Sequence, residues 1–188
     1  YYFTQEYQKS YFESKILMKN KDGQNKVIQW AENLVKDNLE NALAYYILAN
    51  AYYSMSYGDM DTDEGKERIE KAINVLKKTI ELDPKFANAY SSLVTLITGE
   101  AGDIKSTMEH LHSEDLKNKY DILVKDVADY ANKAATLQPN TFSTYLGLGQ
   151  SFVLKDDFDS AISSFNKARE IAPTPEALVL LGVTYLAK

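Results

Sequence analysis

The chain has 188 residues, 45% of them apolar and 26% charged, with a net charge of −6 and no cysteine. Its eight glycines and four prolines are too few for the tight turns of an all-β sandwich, and too few for a Pro- or Gly-rich disordered segment. The acidic balance disfavours nucleic acid as a partner, the missing thiols exclude disulfides, thiol catalysis and Cys-ligated zinc, and no run of 18 apolar residues is available to span a membrane.

What remains is a soluble, all-α chain whose compartment is left open. It begins at Tyr1 rather than Met, as a processed product, a domain or a fragment would, and a removed leader would be invisible. Apolar residues recur at spacings of three and four, the period of a helix with one buried face. Tyr11, Ser14, Lys15 and Met18 open the series weakly, with a Lys where a small residue stands in later copies. Val27, Ala31, Leu34 and Asp37 follow; Leu39 occupies the place of a later proline, so this helix is expected to run on. Tyr45, Leu48, Ala49 and Tyr52 make the next segment, then Ala72, Leu76, Thr79, Leu82 and Pro84. Tyr90, Leu93, Val94 and Ile97 precede Val127, Ala131, Ala134, Leu137 and Pro139. Tyr145, Leu148, Gly149 and Phe152 precede Phe158, Ala161, Phe165, Ala168 and Ile171, and Pro173 and Pro175 are expected to stop that helix. Leu178, Leu181, Gly182 and Tyr185 then repeat the Tyr145 segment 33 residues later.

Two alternating patterns therefore recur, and Val127 to Ala161 gives a period of 34 residues. Small residues (Ala49, Gly149 and Gly182 on one pattern, Ala161 and Ala168 on the other) would let paired helices approach closely. Tyr145, Leu148, Phe152 and Phe165 would fill the space between pairs. A single pair cannot bury its apolar face, so pairs must stack. Two offsets, 45 from Val27 to Ala72 and 55 from Pro84 to Pro139, exceed the period. The extra residues fall in 54–69 and 98–121. The second stretch either holds a helix of its own, through Ile104, Met108 and Leu111 with Leu116 and Tyr120 beyond, or lengthens the helices flanking it. As edges of a repeat array, both are either functional or tolerated insertions.

This pattern resembles the tetratricopeptide repeat (TPR), and the resemblance covers nearly the whole chain. Residues 145–173 match every signature position except that Tyr145 stands where Trp is common. The resemblance implies a right-handed α-α superhelix, a TPR solenoid of about four helix-turn-helix repeats plus one extra C-terminal helix. The repeats are 8–41, 42–86, 87–141, 142–174 and a partial 175–188, together one array over 1–188.

Motifs for chemistry are sparse. Asp59, Asp61, Asp63 and Glu70 are a weak candidate for a calcium loop, but the turn glycine arrives one position late at Gly65, and Lys66 sits where an apolar anchor belongs. The competing reading is an acidic loop leading into a helix with Asp61 or Asp63 as N-cap. His110 and His112, the only histidines, point to different sides of a helix and are expected in solvent. Gly147-x-Gly149 lacks the third glycine and the strand of a dinucleotide loop, and Gly102-Asp103-Ile104-Lys105-Ser106 lacks the adjacent Gly and Lys of a phosphate loop. No Ser has a base and an orienting group to activate it. No cofactor, no metal and no catalysis are expected.

By the same resemblance, the first helix of each pair lines a concave groove. The matching positions are Phe12 and Ile16; Tyr46, Asn50 and Tyr53; Ser91 and Thr95, with Asn88 close by; and Leu146, Gln150 and Val153. The cations of the family's carboxylate clamp are missing, since Tyr46, Ser91 and Ser92 stand in their places and only Asn50 fits. A neutral peptide segment suits the groove better, with amides pairing to its backbone and tyrosines taking apolar side chains. The function expected is a non-catalytic scaffold for a protein or peptide partner. The alternatives are the interaction domain of a larger enzyme or of an envelope or secretion assembly machine, and a calcium-sensing repeat protein. The C-terminal helix is apolar on nearly all sides. Either further repeats or a capping helix cover it, or self-association does, through Leu178, Leu181 and Tyr185.

Overall fold

The computed structural model describes residues 21–37, 39–56 and 58–188. Every regular element among them is a helix: α1 (Lys21–Asp37), α2 (Ala42–Ser56), α3 (Asp63–Leu82), α4 (Ala87–His110), α5 (Glu114–Leu137), α6 (Phe142–Leu154), α7 (Phe158–Ile171) and α8 (Pro175–Ala187). The segment containing Tyr11, Phe12 and Ile16 lies outside the described residues. The chain divides into two compact units, Tyr1–Pro84 and Lys85–Lys188.

In the first unit, α1 and α3 are amphipathic and close on α2, which is apolar nearly all round. Ala31, Ile47 and Leu48 form the buried centre, with Trp30, Leu34, Leu43 and Val75 packed around it. The Tyr52 hydroxyl donates to Glu32 Oε1 at 2.7 Å, linking α2 to α1. Burial, then this bond, push the Tyr52 phenol up to about 12. Helix α1 ends at Asp37 and Leu39 is 65% exposed in the turn that follows, so the expected run-on does not occur. Asn41 begins α2 instead, its Oδ1 accepting from the N–H groups of Leu43 and Ala44.

Thr62 is the N-cap of α3, accepting from Gly65 N–H at 3.1 Å, rather than Asp61 or Asp63. Its extended backbone (ψ 157°) turns the hydroxyl toward the open N–H groups, while Asp63 and Glu64 sit inside the first turn. A side chain at Gly65 would run into the backbone carbonyl of Asp59, so the residue must be glycine for close approach.

In the second unit, α4 pairs with α5 and α6 with α7; α6 also packs on α4 and α5, and α8 on α7. Phe165 is completely buried at the centre of Leu146, Ala161, Ile162, Ala168, Ala177 and Leu181. Its ring lies where a Gly149 side chain would be, the close approach that the repeated glycine implied. Gly182 differs: a Cβ there would meet nothing within 4 Å. The stretch 98–121 contains no separate helix. It lengthens α4 and α5 to 24 residues each, against 13 for α6 and 14 for α7. Pro175 does not stop α7. It opens α8 behind the cap Thr174, where a missing N–H costs nothing.

Candidate functional site

Among the described residues, the positions expected in a groove fall on α2, α4 and α6. Tyr46, Asn50 and Tyr53 are half-buried on one face of α2 in the first unit, because spacings of four and three stack side chains on a helix. Asn50 Nδ2 donates to the Tyr46 carbonyl at 2.8 Å, which holds the amide against its own helix. In the second unit Asn88 is exposed and Ser91 and Thr95 are half-buried on α4, with Thr95 Oγ1 donating to the Ser91 carbonyl at 3.3 Å. Helix α6 packs beside them, and the side chain of Val94 lies 3.3 Å from where a Gly147 Cβ would be.

On α6 the expected positions divide. Val153 is half-buried, but Leu146 is only 6% exposed and belongs to the core around Phe165 rather than to an open face. Gln150 is 8% exposed and its Oε1 has no hydrogen-bond partner among the described residues. Thr98 Oγ1, one turn beyond Val94 on α4, is likewise buried without a partner. Sequence patterning did not single out Thr98; the signal was its place one turn after Thr95. Tyr145, at the usual Trp position, donates its hydroxyl to Asn140 Oδ1 at 2.6 Å and carries Lys167 Nζ 5.3 Å over its ring.

Charge is distributed unevenly. Helices α2 and α6 carry no charged residue, α4 carries none before Glu100, and α8 carries only Glu176. The remaining acidic and basic side chains of the helices lie on α1, α3, α5 and α7 and on the second half of α4. The polar side chains of α2, and of α6 with the first part of α4, are therefore amides and hydroxyls rather than ions.

The acidic stretch does not assemble. Asp59 pairs with Arg68 at 3.6 Å and its carbonyl accepts from Thr62, while Asp61, Asp63 and Glu70 point into solvent. Among the described residues, no three acidic or histidine side chains gather as a group able to hold a metal. His110 ends α4 and His112 lies beyond it, both exposed. At the C-terminus, Leu178 and Tyr185 are 51% and 58% exposed, but Leu181 is buried in the chain's own core, which removes it from the surface expected for self-association. No helix among the described residues is long and apolar enough to cross a membrane.

Comparison with known proteins agrees with this architecture. Residues 142–175 match the tetratricopeptide repeat model. A solved structure of a thermophilic TPR protein from Thermus thermophilus superposes with a TM-score of 0.58 at 21% identity, covering 87% of this chain and 72% of that one; at that identity the likeness concerns the fold. No curated protein matches the sequence. The fold is a helical repeat of the tetratricopeptide kind, a class that typically serves protein interaction rather than catalysis. Residues 11–150 match the model of regulator of microtubule dynamics protein 1-3, a span that includes every expected groove position from Phe12 to Gln150, and the chain belongs to that family.

Proposed function

We propose that the chain is a non-catalytic scaffold that binds an uncharged peptide segment of a partner protein against its first helices. The observation that carries this reading is the absence of charge on α2, α6 and the first part of α4 in a chain with 48 ionisable Lys, Arg, Asp and Glu residues, 21 basic and 27 acidic. A face of this kind discriminates against charged tails, which would lose hydration without gaining a counter-charge. In the first unit Asn50, and in the second Asn88, would pair with main-chain amides of such a segment, whereas Gln150 is buried and lies beneath that surface. Tyr46 and Tyr53 would shape the surface beside Asn50, and Ser91 and Thr95 the surface beside Asn88. Phe12 is proposed as a further contact on its sequence position alone.

Family membership favours a second, more specific reading: the partner is a component of the microtubule system. Both readings are tested by capture of partners from extract with the wild-type chain and with Tyr46→Ala/Asn50→Ala, beside co-sedimentation with microtubules assembled from purified tubulin. Loss of a specific partner, by about tenfold or more as contact residues of this type give, with the thermal midpoint retained, supports the groove. Undiminished capture of the same partner by the double variant overturns it, and a partner outside the microtubule system overturns the second reading alone.

A further inference from the structure

The stretch 98–121 reaches across to the next pair. From α5, the Tyr120 hydroxyl donates to the Leu154 carbonyl at 2.9 Å. From α4, Lys105 Nζ donates to Asp156 Oδ1 at 2.7 Å. The two bonds land two residues apart on the turn between α6 and α7. Lys119 on α5 meets Glu100 on α4 at 2.9 Å, which braces the two lengthened helices against each other.

The chemistry of that turn explains why it needs holding. Leu154 is the last residue of α6, so its carbonyl has no partner within the helix, and Tyr120 supplies one. Asp156 has φ 57°, the left-handed conformation that ends many helices and that glycine usually fills. An aspartate there gives up glycine's freedom but brings a carboxylate to Lys105, whose positive charge also suits the C-terminal end of a helix. Asp157 then caps α7, accepting from Ser160 N–H at 3.2 Å. Burial raises the Tyr120 phenol, which keeps it a donor, and the Asp156 bond raises the Lys105 ammonium.

We propose that the 98–121 extension is an intramolecular clasp: it caps the C-terminus of α6 from outside the helix and fixes the point at which α7 begins. This assigns the extension a role within the chain, independent of any partner and of the proposed docking face.

Hydrogen exchange of backbone amides tests it, read over residues 155–161, with residues 127–134 of α5 as the internal reference. Tyr120→Phe keeps the ring and removes one hydrogen bond, so exchange in 155–161 is expected to rise about fivefold while 127–134 stays unchanged. A rise of less than about twofold, or an equal rise in both segments, overturns the clasp. A second arm uses Asp156→Gly. In a Lys105→Met background this change should slow exchange in 155–161, because the left-handed residue is relieved and no ion pair is left to lose. In the wild-type background the slowing should be smaller. Equal effects in both backgrounds overturn the role of Lys105.

Discussion

At Gly149 a single added methyl group would run into the ring of Phe165, a side chain with no exposed surface. The ring cannot swing into solvent, so Gly149→Ala forces the α6–α7 contact apart. The expected cost is about 1–3 kcal/mol of overpacking, offset by less than about 1 kcal/mol of improved helix propensity. Gly182 holds the same place in the repeated pattern, but nothing lies within 4 Å of its would-be Cβ. Gly182→Ala should therefore be neutral or stabilising by up to about 1 kcal/mol. Urea unfolding of the two variants, with equal m-values, checks both signs. The pair also marks a limit of sequence reading. The spacing of large, small and aromatic residues locates both glycines correctly on a helix face. What each meets depends on whether a second helix is packed there, and that information lies in another segment. Gln150 and Leu146 illustrate the same limit from the other side: on α6 alone they sit at groove positions, and only the neighbouring helices make them buried.

Five helix starts among the described residues are each capped by a single side chain. Thr62, Ser113, Thr141, Asp157 and Thr174 each accept from the N–H three residues ahead, at the starts of α3, α5, α6, α7 and α8. Thr62→Ala should destabilise the first unit by about 1 kcal/mol. Gly65→Ala should cost more, since the atom in the way is the backbone of Asp59, which cannot rotate aside. A thermal midpoint lower in Gly65→Ala than in Thr62→Ala would confirm that order, and the reverse order would refute the close approach. Pairing of the helices was legible in the sequence because each second helix repeats its apolar and small residues at one period. Boundary chemistry was less so. The acidic loop pointed to Asp61 or Asp63 as the cap, whereas Thr62 between them has the extended backbone and accepts from Gly65 N–H. Pro175 reads equally well as a terminator of α7 or as the first residue of α8, since proline fits both. The extra length of 98–121 was evident from the offset, but whether it made a new helix or longer old ones rested on Leu111, Ser113 and the cap between α4 and α5.

On the scale of the molecule, the lack of charge on α2, α6 and the first part of α4 has a consequence that can be measured without knowing which unit carries the contact. Complexes held by complementary charge weaken steeply as salt screens them, because the Debye length falls from about 10 Å at 0.1 M to about 3 Å at 1 M. A segment bound against α2 in the first unit, or against α4 and α6 in the second, would meet amides, hydroxyls and tyrosine rings instead. The free energy of such contacts comes from apolar burial and neutral hydrogen bonds, which salt hardly changes and, in the case of excluded salts, slightly strengthens. The Kd of the captured partner should therefore change by less than about threefold between about 0.05 and 0.5 M sodium chloride. Placing a cation on the face should disturb this: Asn88→Lys, at an exposed position on α4, adds a charge without touching the core, so it should leave the thermal midpoint unchanged while introducing a salt dependence. A wild-type affinity that collapses at high salt would mean that the contact lies on charged helix surface outside α2, α6 and the first part of α4, and would overturn the proposed docking face.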